Sequence, residues 1–340
     1  MPERRMTVGG PVAYPDADLA EVERNVGARW ELLRGARLLL TGASGFVGGW
    51  MLDSLARARI GRALDTRAIV LTRSRERLVA ARPWVDEVDW IEVVTGDVRE
   101  LAVNGTLTHV IHCASAASTE ENRDDPAAVC DLIVRGTSRV MEAARHAGAL
   151  RMLHLSSGAV HRAVGAPVAT ISPADLFVHA KRLAEAIVLR GGSTDRLAVV
   201  AARCFALLGP GLPLDGAFAA GNFVRDMLAG GPVMVDGDGR AIRTYLHAVD
   251  LATWCWVLLL DAPGGSAWDV GGTEETSIGS LAERIAAHRA GVRVQVTGAV
   301  GHAPPDRYVP DVRPAAQALG LTPRIGLDEA LGRMIAWYSE

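Results

Sequence analysis

Leu38-Leu39-Leu40-Thr41-Gly42-Ala43-Ser44-Gly45-Phe46-Val47-Gly48 decides the reading of this chain, because it joins an apolar run to a helical pattern over Val47–Arg59 through three spaced glycines. Gly42 permits the tight turn, Gly45 lets the backbone approach a pyrophosphate, and Gly48 lets helix and sheet pack closely. The N-terminus of the helix then presents N–H groups and the positive end of its dipole to phosphate. Ala43, Ser44, Phe46 and Val47 complete the loop, and the expectation is dinucleotide binding.

Working outward from this loop, short apolar runs alternate with helical patterns. Strands are expected at Arg37–Leu40, Ala68–Leu71, Ile91–Val94, Val110–His112, Met152–Leu155 and Val199–Cys204, and helices at Val47–Arg59, Ala127–His146 and Ala174–Arg190. Unbroken apolar strands in this rhythm predict a parallel sheet covered on both faces, the doubly wound α/β Rossmann class. Ahead of it, Leu19, Val22, Val26, Trp30 and Leu33 predict one extra N-terminal helix, capped by Asp16 or Asp18 and ended by Gly35. After Gly209 the rhythm breaks. Helices are expected near Phe218–Leu228, His247–Leu260, Ile278–Arg289 and Leu327–Trp337, strands at Val233–Val235, Ala267–Val270 and Val292–Val296, and a proline-rich loop over Ala303–Pro314. The expected organisation is an N-terminal extension over 1–35, a dinucleotide-binding domain over 36–208 and 240–272, and a smaller C-terminal α/β substrate lobe over 209–239 and 273–340.

Composition narrows the function classes. The 340 residues are 49% hydrophobic and 22% charged with a net charge of −3, a balance that suits a globular protein and gives no basic footprint for nucleic acid. The apolar run between Asp250 and Asp261 is too short to span a membrane, and Met1–Ala20 has no apolar signal core. Four scattered cysteines without a Cys-x-x-Cys pair argue against a disulfide framework or a zinc site. The expectation is a cytoplasmic protein with no metal. Lys181 is the one lysine in a chain otherwise supplied with arginine.

The glycine spacing, with Thr41 before it and Phe46-Val47 inside it, resembles the extended short-chain dehydrogenase/reductase family, the NAD-dependent epimerases and dehydratases of nucleotide sugars. The resemblance runs from about Arg37 to the C-terminus. It implies an adenine contact for Asp97 and Val98 in Gly96-Asp97-Val98, and a cofactor-lining segment at Cys113-Ala114-Ser115. Leu155-Ser156-Ser157-Gly158-Ala159-Val160-His161 resembles the Ser-Ser-x-x-Val-Tyr-Gly segment and puts Ser157 at the catalytic Ser/Thr position. Arg203, Gly209-Pro210 and Arg240–Asp250 match later family segments. The second strand ends Thr72-Arg73-Ser74 with no acid, so Arg73 and Ser74 favour the 2′-phosphate of NADP over NAD.

The family's Tyr-x-x-x-Lys motif is incomplete, since the chain reads Phe177-Val178-His179-Ala180-Lys181. Lys181 matches the lysine that holds the cofactor ribose, a role for a compact ammonium rather than a fork. Phe177 stands in place of the proton-exchanging phenol and shares a helix face with Lys181. Three readings stay open: His161 or another group carries the proton, the chemistry needs no phenol, or the chain keeps binding without catalysis. The last includes both a non-catalytic nucleotide-sugar-binding protein and an active enzyme inactivated by a Tyr-to-Phe exchange. His179 lies two positions from Phe177 and faces away. Gly158-Ala159 replaces the Asp-Glu pair of family dehydratases, which disfavours 4,6-dehydration and leaves epimerisation, decarboxylation and keto-reduction.

For the substrate, the resemblance implies a nucleoside diphosphate held by the small lobe. Asn222 and Phe223 open the loop under base and diphosphate, and Arg243 and Arg307, with Tyr245 and Tyr308 as neighbours, occupy the diphosphate-gripping positions. Ser115, Ser118 and Thr119 are candidates for sugar hydroxyls. The expected protein is an NAD(P)-dependent nucleotide-sugar enzyme working by hydride transfer at a sugar carbon. It is expected to be a homodimer through the helices Ala127–His146 and Ala174–Arg190.

Overall fold

The computed structural model describes residues 13–115, 124–162, 172–192, 196–216, 218–301 and 304–339. Among them the elements run α1 (Asp16–Val26), β1 (Arg37–Thr41), α2 (Phe46–Gly61), β2 (Arg67–Thr72), α3 (Arg75–Ala81), β3 (Ile91–Thr95), β4 (His109–His112), α4 (Pro126–His146), β5 (Arg151–Ser157), α5 (Pro173–Gly192) and β6 (Ala198–Cys204). There follow β7 (Ala206–Leu208), α6 (Ala219–Ala229), β8 (Val233–Val235), β9 (Ile242–Arg243), β10 (Tyr245–His247), α7 (Ala248–Asp261) and β11 (Ser266–Val270). The chain closes with β12 (Thr276–Ser277), α8 (Ile278–Ala286), β13 (Val294–Val296), β14 (Arg307–Tyr308), α9 (Arg313–Leu319) and α10 (Leu327–Ser339).

Seven strands form one sheet in the order β11-β6-β5-β4-β1-β2-β3. Pairings from β3 through β2, β1 and β4 to β5 are parallel, with Leu39 opposite both Ile69 and Val110. This is the doubly wound Rossmann order, whose topological switch point lies between β1 and β4 and places a ligand crevice at their C-terminal ends. The chain falls into two compact units. Of the described residues, one unit carries most of the sheet and takes those within 13–115, 124–203 and 252–268; the other takes those within 204–251 and 269–339. The second unit is built on short ladders, β7–β10, β8–β13 and β12-β9-β14.

Burial explains the apolar runs. On one face of the sheet, Leu39, Ile69, Leu71, Val110, Met152 and Val199 pack with Val140, Met141 and Ala144 of α4 and Val188 of α5. Elsewhere in that unit Trp256 of α7 packs against Trp30 with ring centroids 4.7 Å apart and donates its indole N–H to Ser54 Oγ at 2.8 Å. Residues Trp254–Leu259 are at most 2% exposed, so the run between Asp250 and Asp261 is a core helix. No helix among the described residues is long and apolar enough to cross a membrane.

The structure corrects several sequence expectations. The N-terminal pattern is not one helix: α1 stops at Val26, where Gly27 takes φ +65°, and Gly27–Leu33 continues as a tighter 3₁₀ segment. Apolar spacing survives the break because Trp30 and Leu33 still reach the core. Neither Asp16 nor Asp18 caps the helix, since Pro15 holds that position without a side-chain bond. The proline-rich stretch expected to be loop contains β14 and enters α9, whose first turn tolerates Pro314 because no amide is required there. Helix α3 went unread because seven residues show too few apolar repeats for periodicity to register.

Candidate functional site

At the end of β1 each glycine of the loop has a different physical reason to be there. Gly42 has φ +78°, and a Cβ on it would lie 2.7 Å from the backbone N of Ala114. A Cβ on Gly48 would lie 2.2 Å from the carbonyl O of Gly42. The fold therefore demands both. Gly45 has φ −87°, and its Cβ would meet nothing closer than Gly42 O at 3.4 Å. Nothing among the described residues forbids a side chain at 45, which is the condition for a ligand to approach the backbone. Gly45 is also the N-cap of α2, and among the described residues no side chain caps that helix. The residues fit a bound pyrophosphate at an uncapped helix N-terminus.

Beneath the loop lies a buried polar relay that the sequence reading missed. Thr41 Oγ1 is 2.8 Å from His112 Nδ1 and accepts from the N–H of Ala114 at 3.2 Å. His112 Nε2 is 3.1 Å from Thr137 Oγ1 on α4. These bonds tie the first residue of the loop to the segment Cys113-Ala114-Ser115 and to α4. Burial, then the Lys181 charge, lowers the His112 pKa to about 3, so the ring is neutral. Its neighbour His154 on β5, with ring centroids 5.5 Å apart, is 2% exposed and has no hydrogen-bond partner among the described residues for either ring nitrogen. The available signal was positional: a Thr and a His at paired strand ends (Thr41 opposite His112) must satisfy each other when buried.

Past β2, Arg73 is exposed. Ser74 is the N-cap of α3, accepting from Arg77 N at 3.2 Å and donating to Glu76 Oε2 at 2.8 Å. An acid absent from the strand end thus stands four residues past it, as Glu76, held by the Ser74 hydroxyl. Asp97 accepts three bonds from Arg99: from the backbone N at 2.8 Å, Nε at 2.9 Å and Nη2 at 2.6 Å. The Arg99 side chain, more than its burial, sets the Asp97 pKa and holds it down at about 2. Val98 is buried, filling the space left by Gly136 on α4.

The motif residues of α5 and β5 lie together. Lys181 is 5% exposed, donates from Nζ to the carbonyl of Leu155 at 3.4 Å, and has Nζ 5.8 Å from the centroid of the Phe177 ring. Phe177 also packs against the apolar cluster of Val129, Ile133, Ala180 and Ala184 between α4 and α5. Ser157, half-buried at the end of β5, accepts from Ala159 N at 3.1 Å and caps the short turn Gly158–His161. His161 is exposed on that turn, and His179 is exposed on the far side of α5. A second unread network braces this corner. Ser156 Oγ donates to Glu185 Oε2 at 2.6 Å, and Glu185 receives the Arg203 fork at 3.0 and 2.5 Å. Glu185 is one helical turn beyond Lys181, so sequence spacing could have flagged it.

In the second unit Arg243 donates to Asp306 Oδ2 at 2.7 Å and lies 5.7 Å from the Tyr308 ring centroid. The register sets Tyr308 opposite Arg243 and Arg307 opposite Ile242, so the two arginines stand on opposite faces of the ladder. Arg307 donates to Glu275 Oε1 at 2.7 Å. Tyr245 is half-buried, and burial raises its pKa. Asn222 Nδ2 donates to Gly216 O at 3.0 Å, whereas Phe223 is 3% exposed in the unit's core. Ser118 and Thr119 lie outside the described residues.

Comparison with known proteins accords with this geometry. The model of the NAD dependent epimerase/dehydratase family matches residues 38–271. UDP-glucuronic acid decarboxylase 1 of Xenopus tropicalis is 26% identical over 326 residues, covering 89% of this chain and 72% of the relative. UDP-glucose 4-epimerase of Mycolicibacterium smegmatis is 27% identical over 331 residues, covering 89% and 98%. Among solved structures, an epimerase from Methanothermobacter thermautotrophicus shares the fold with a TM-score of 0.77 at 20% identity, covering 92% of this chain and 95% of that one. A family match over more than half of the chain, on a sheet with this switch point and this glycine loop, leads to one conclusion: the protein belongs to the NAD dependent epimerase/dehydratase family.

Proposed function

We propose that the protein is an NAD(P)-dependent enzyme that modifies a nucleotide sugar by hydride transfer at a sugar carbon, of epimerase, decarboxylase or keto-reductase type. The observation that carries this reading is Lys181, buried on the Leu155 carbonyl two residues before Ser157. The one lysine of the sequence is kept at 5% exposure, where an ammonium is costly to bury, in the position that the family's ribose-holding lysine occupies. The named relatives act on UDP-sugars, which supports the same substrate class here.

The dinucleotide, when bound, supplies the hydride acceptor and donor. The chain's own residues supply the rest. Gly42–Gly48 and the N-terminus of α2 hold the pyrophosphate, Asp97 remains an ionised acceptor for adenine, and Lys181 holds the ribose. Ser157 orients the sugar oxygen at the end of β5. Phe177 packs and cannot exchange a proton, so the acid/base step belongs to His161 or to water at this turn. Arg243, with Asn222 and Tyr245, serves the diphosphate and base, and Ser115, Ser118 and Thr119 the sugar; Arg307, on the other face of the ladder and paired with Glu275, is left out of that grip.

Arg73 supports NADP, while Glu76, presented by Ser74, supports NAD through the ribose hydroxyls. A cytoplasmic homodimer through α4 and α5 completes the proposal; Leu183, 52% exposed on α5, suits a buried partner face. The test is release of cofactor from denatured protein, followed by incubation of native protein with UDP- and dTDP-sugars. Bound NAD(P) with a converted sugar is the expected result. Bound cofactor without conversion would favour a binding-only protein, and failure to bind either cofactor would overturn the proposal.

A further inference from the structure

Residues 13–35 precede the region matched by the family, yet they pack along the whole of α2. At its C-terminal end, Glu23 pairs with Arg57 and Arg62 at 3.4 Å each, in the space where a Cβ on Gly61 would stand. At its N-terminal end the contact is buried and polar. Tyr14 stacks on Trp50 with centroids 4.4 Å apart and planes 9° apart, and the Arg82 guanidinium lies 5.0 Å from the Tyr14 ring centroid. Arg82 Nε donates to Asp53 Oδ1 at 2.9 Å, and Ala13 N donates to Asp53 Oδ2 at 3.2 Å. Asp53, Arg82 and Tyr14 are 0%, 3% and 8% exposed.

The cluster bears on one turn of helix. A Cβ on Gly49 would lie 2.1 Å from Arg82 Nη2 and 2.8 Å from the Tyr14 hydroxyl. Gly49 is also the residue whose N–H, bonded to Gly45 O at 2.9 Å, closes the first turn of α2. The two side chains therefore press against one side of the turn whose N-terminal end carries the free N–H groups of the phosphate cradle. Without the strap, Asp53 and Arg82 lose the cover that keeps their pair dry, and the turn loses its backing.

We propose that Tyr14, acting through the buried Arg82–Asp53 pair and Gly49, is a positioning residue that sets the phosphate-binding turn of α2. This rests on the dinucleotide reading given above. Cofactor binding needs donors fixed within about half an ångström, so a clamp on their turn tunes affinity without touching the ligand.

Four variants test it: Tyr14→Ala removes the ring of the N-terminal strap, Tyr14→Phe keeps it, Gly49→Ala displaces the clamp from the helix side, and Glu23→Gln loosens the strap at the far end. Amide hydrogen exchange at Gly49 and Trp50, the first amides of α2 with helical partners, and the Kd of NAD and NADP are measured well below each Tm. Tyr14→Ala and Gly49→Ala should speed exchange and weaken the cofactor by about tenfold or more, the loss of one aligned bond to a charged group. Glu23→Gln should lower Tm with both readouts unchanged. Tyr14→Phe, which keeps the stack, should restore most of the affinity. Unchanged exchange at Gly49 and Trp50 in Tyr14→Ala, or equal loss of affinity in Glu23→Gln, would overturn the clamp. A wild-type protein that binds neither cofactor, with exchange still accelerated in Tyr14→Ala, would instead sink the dinucleotide reading.

Discussion

Replacing Gly45 by alanine should separate folding from ligand binding at the phosphate loop. At φ −87° and ψ 175° the residue is in extended backbone open to any side chain, and the new methyl would sit 3.4 Å from Gly42 O, ordinary contact. Two small terms act on stability. An alanine N-cap is worse than glycine by about 0.5–1 kcal/mol, and lower unfolded-state entropy returns about 0.4–1 kcal/mol. Tm should therefore move by no more than about 2 °C. Binding should change much more, because the methyl enters the space in front of the uncapped α2 terminus. Losing one hydrogen bond to a charged phosphate costs about 1.5–3 kcal/mol, or about 10- to 150-fold in Kd. Gly48→Ala is the contrast: its Cβ would lie 2.2 Å from backbone that cannot yield, so that variant should lose about 1–3 kcal/mol of stability through overpacking. The assay is isothermal titration with NAD and NADP beside a thermal melt for each variant. Wild-type affinity in a stable Gly45→Ala would refute the placement of the pyrophosphate. A melt lowered as far as that of Gly48→Ala would refute the claim that the space is empty.

Other expectations concern the buried polar groups and the missing phenol. Thr137→Val keeps the shape but leaves His112 Nε2 without its partner, and should cost about 1–2 kcal/mol in urea unfolding while Thr137→Ser costs little. Equal loss in both would show that packing, not the bond, matters. Burial keeps His112 and His247 at about 3 and His109 at about 4, against 6.5 when unfolded. Their stability contribution is thus whole above pH 6.5 and falls as pH drops from 6.5 toward those folded values, by up to about 1.4 kcal/mol per unit for each ring. His154→Leu should raise stability by about 1 kcal/mol or more and flatten that acid limb, since a buried ring without a hydrogen-bond partner among the described residues is replaced by an apolar one; a less stable variant with the same slope would contradict this. If the chemistry runs without a phenol, Phe177→Tyr should not raise turnover, whereas a gain of about 100-fold or more would mean that the tyrosine had been the acid/base group.

Much of the fold was readable in the chain because it depends on short-range regularity. Three glycines between an apolar strand and a helix, and apolar runs alternating with helical spacing, suffice for a parallel doubly wound sheet. The same local logic failed where long-range burial overrides it, as at Gly27, where a continuous apolar stripe conceals a break in the helix. Lys181 and Phe177 could be placed on one helix face from their spacing, and so could Glu185 one turn on.

What only tertiary structure decided are pairings between residues far apart in sequence. Thr41 with His112 and Thr137, Glu185 with Ser156 and Arg203, and Tyr14 with Arg82 and Asp53 each unite three segments, and no window of sequence contains their geometry. Strand register set Arg243 and Arg307 on opposite faces of one ladder, because side chains alternate with a period of two and the pairing partner fixes the phase. The sequence determined which chemical groups exist and the elements that carry them. Three-dimensional burial determined which of those groups must satisfy one another, since a polar atom removed from water needs whichever partner the fold brings within reach.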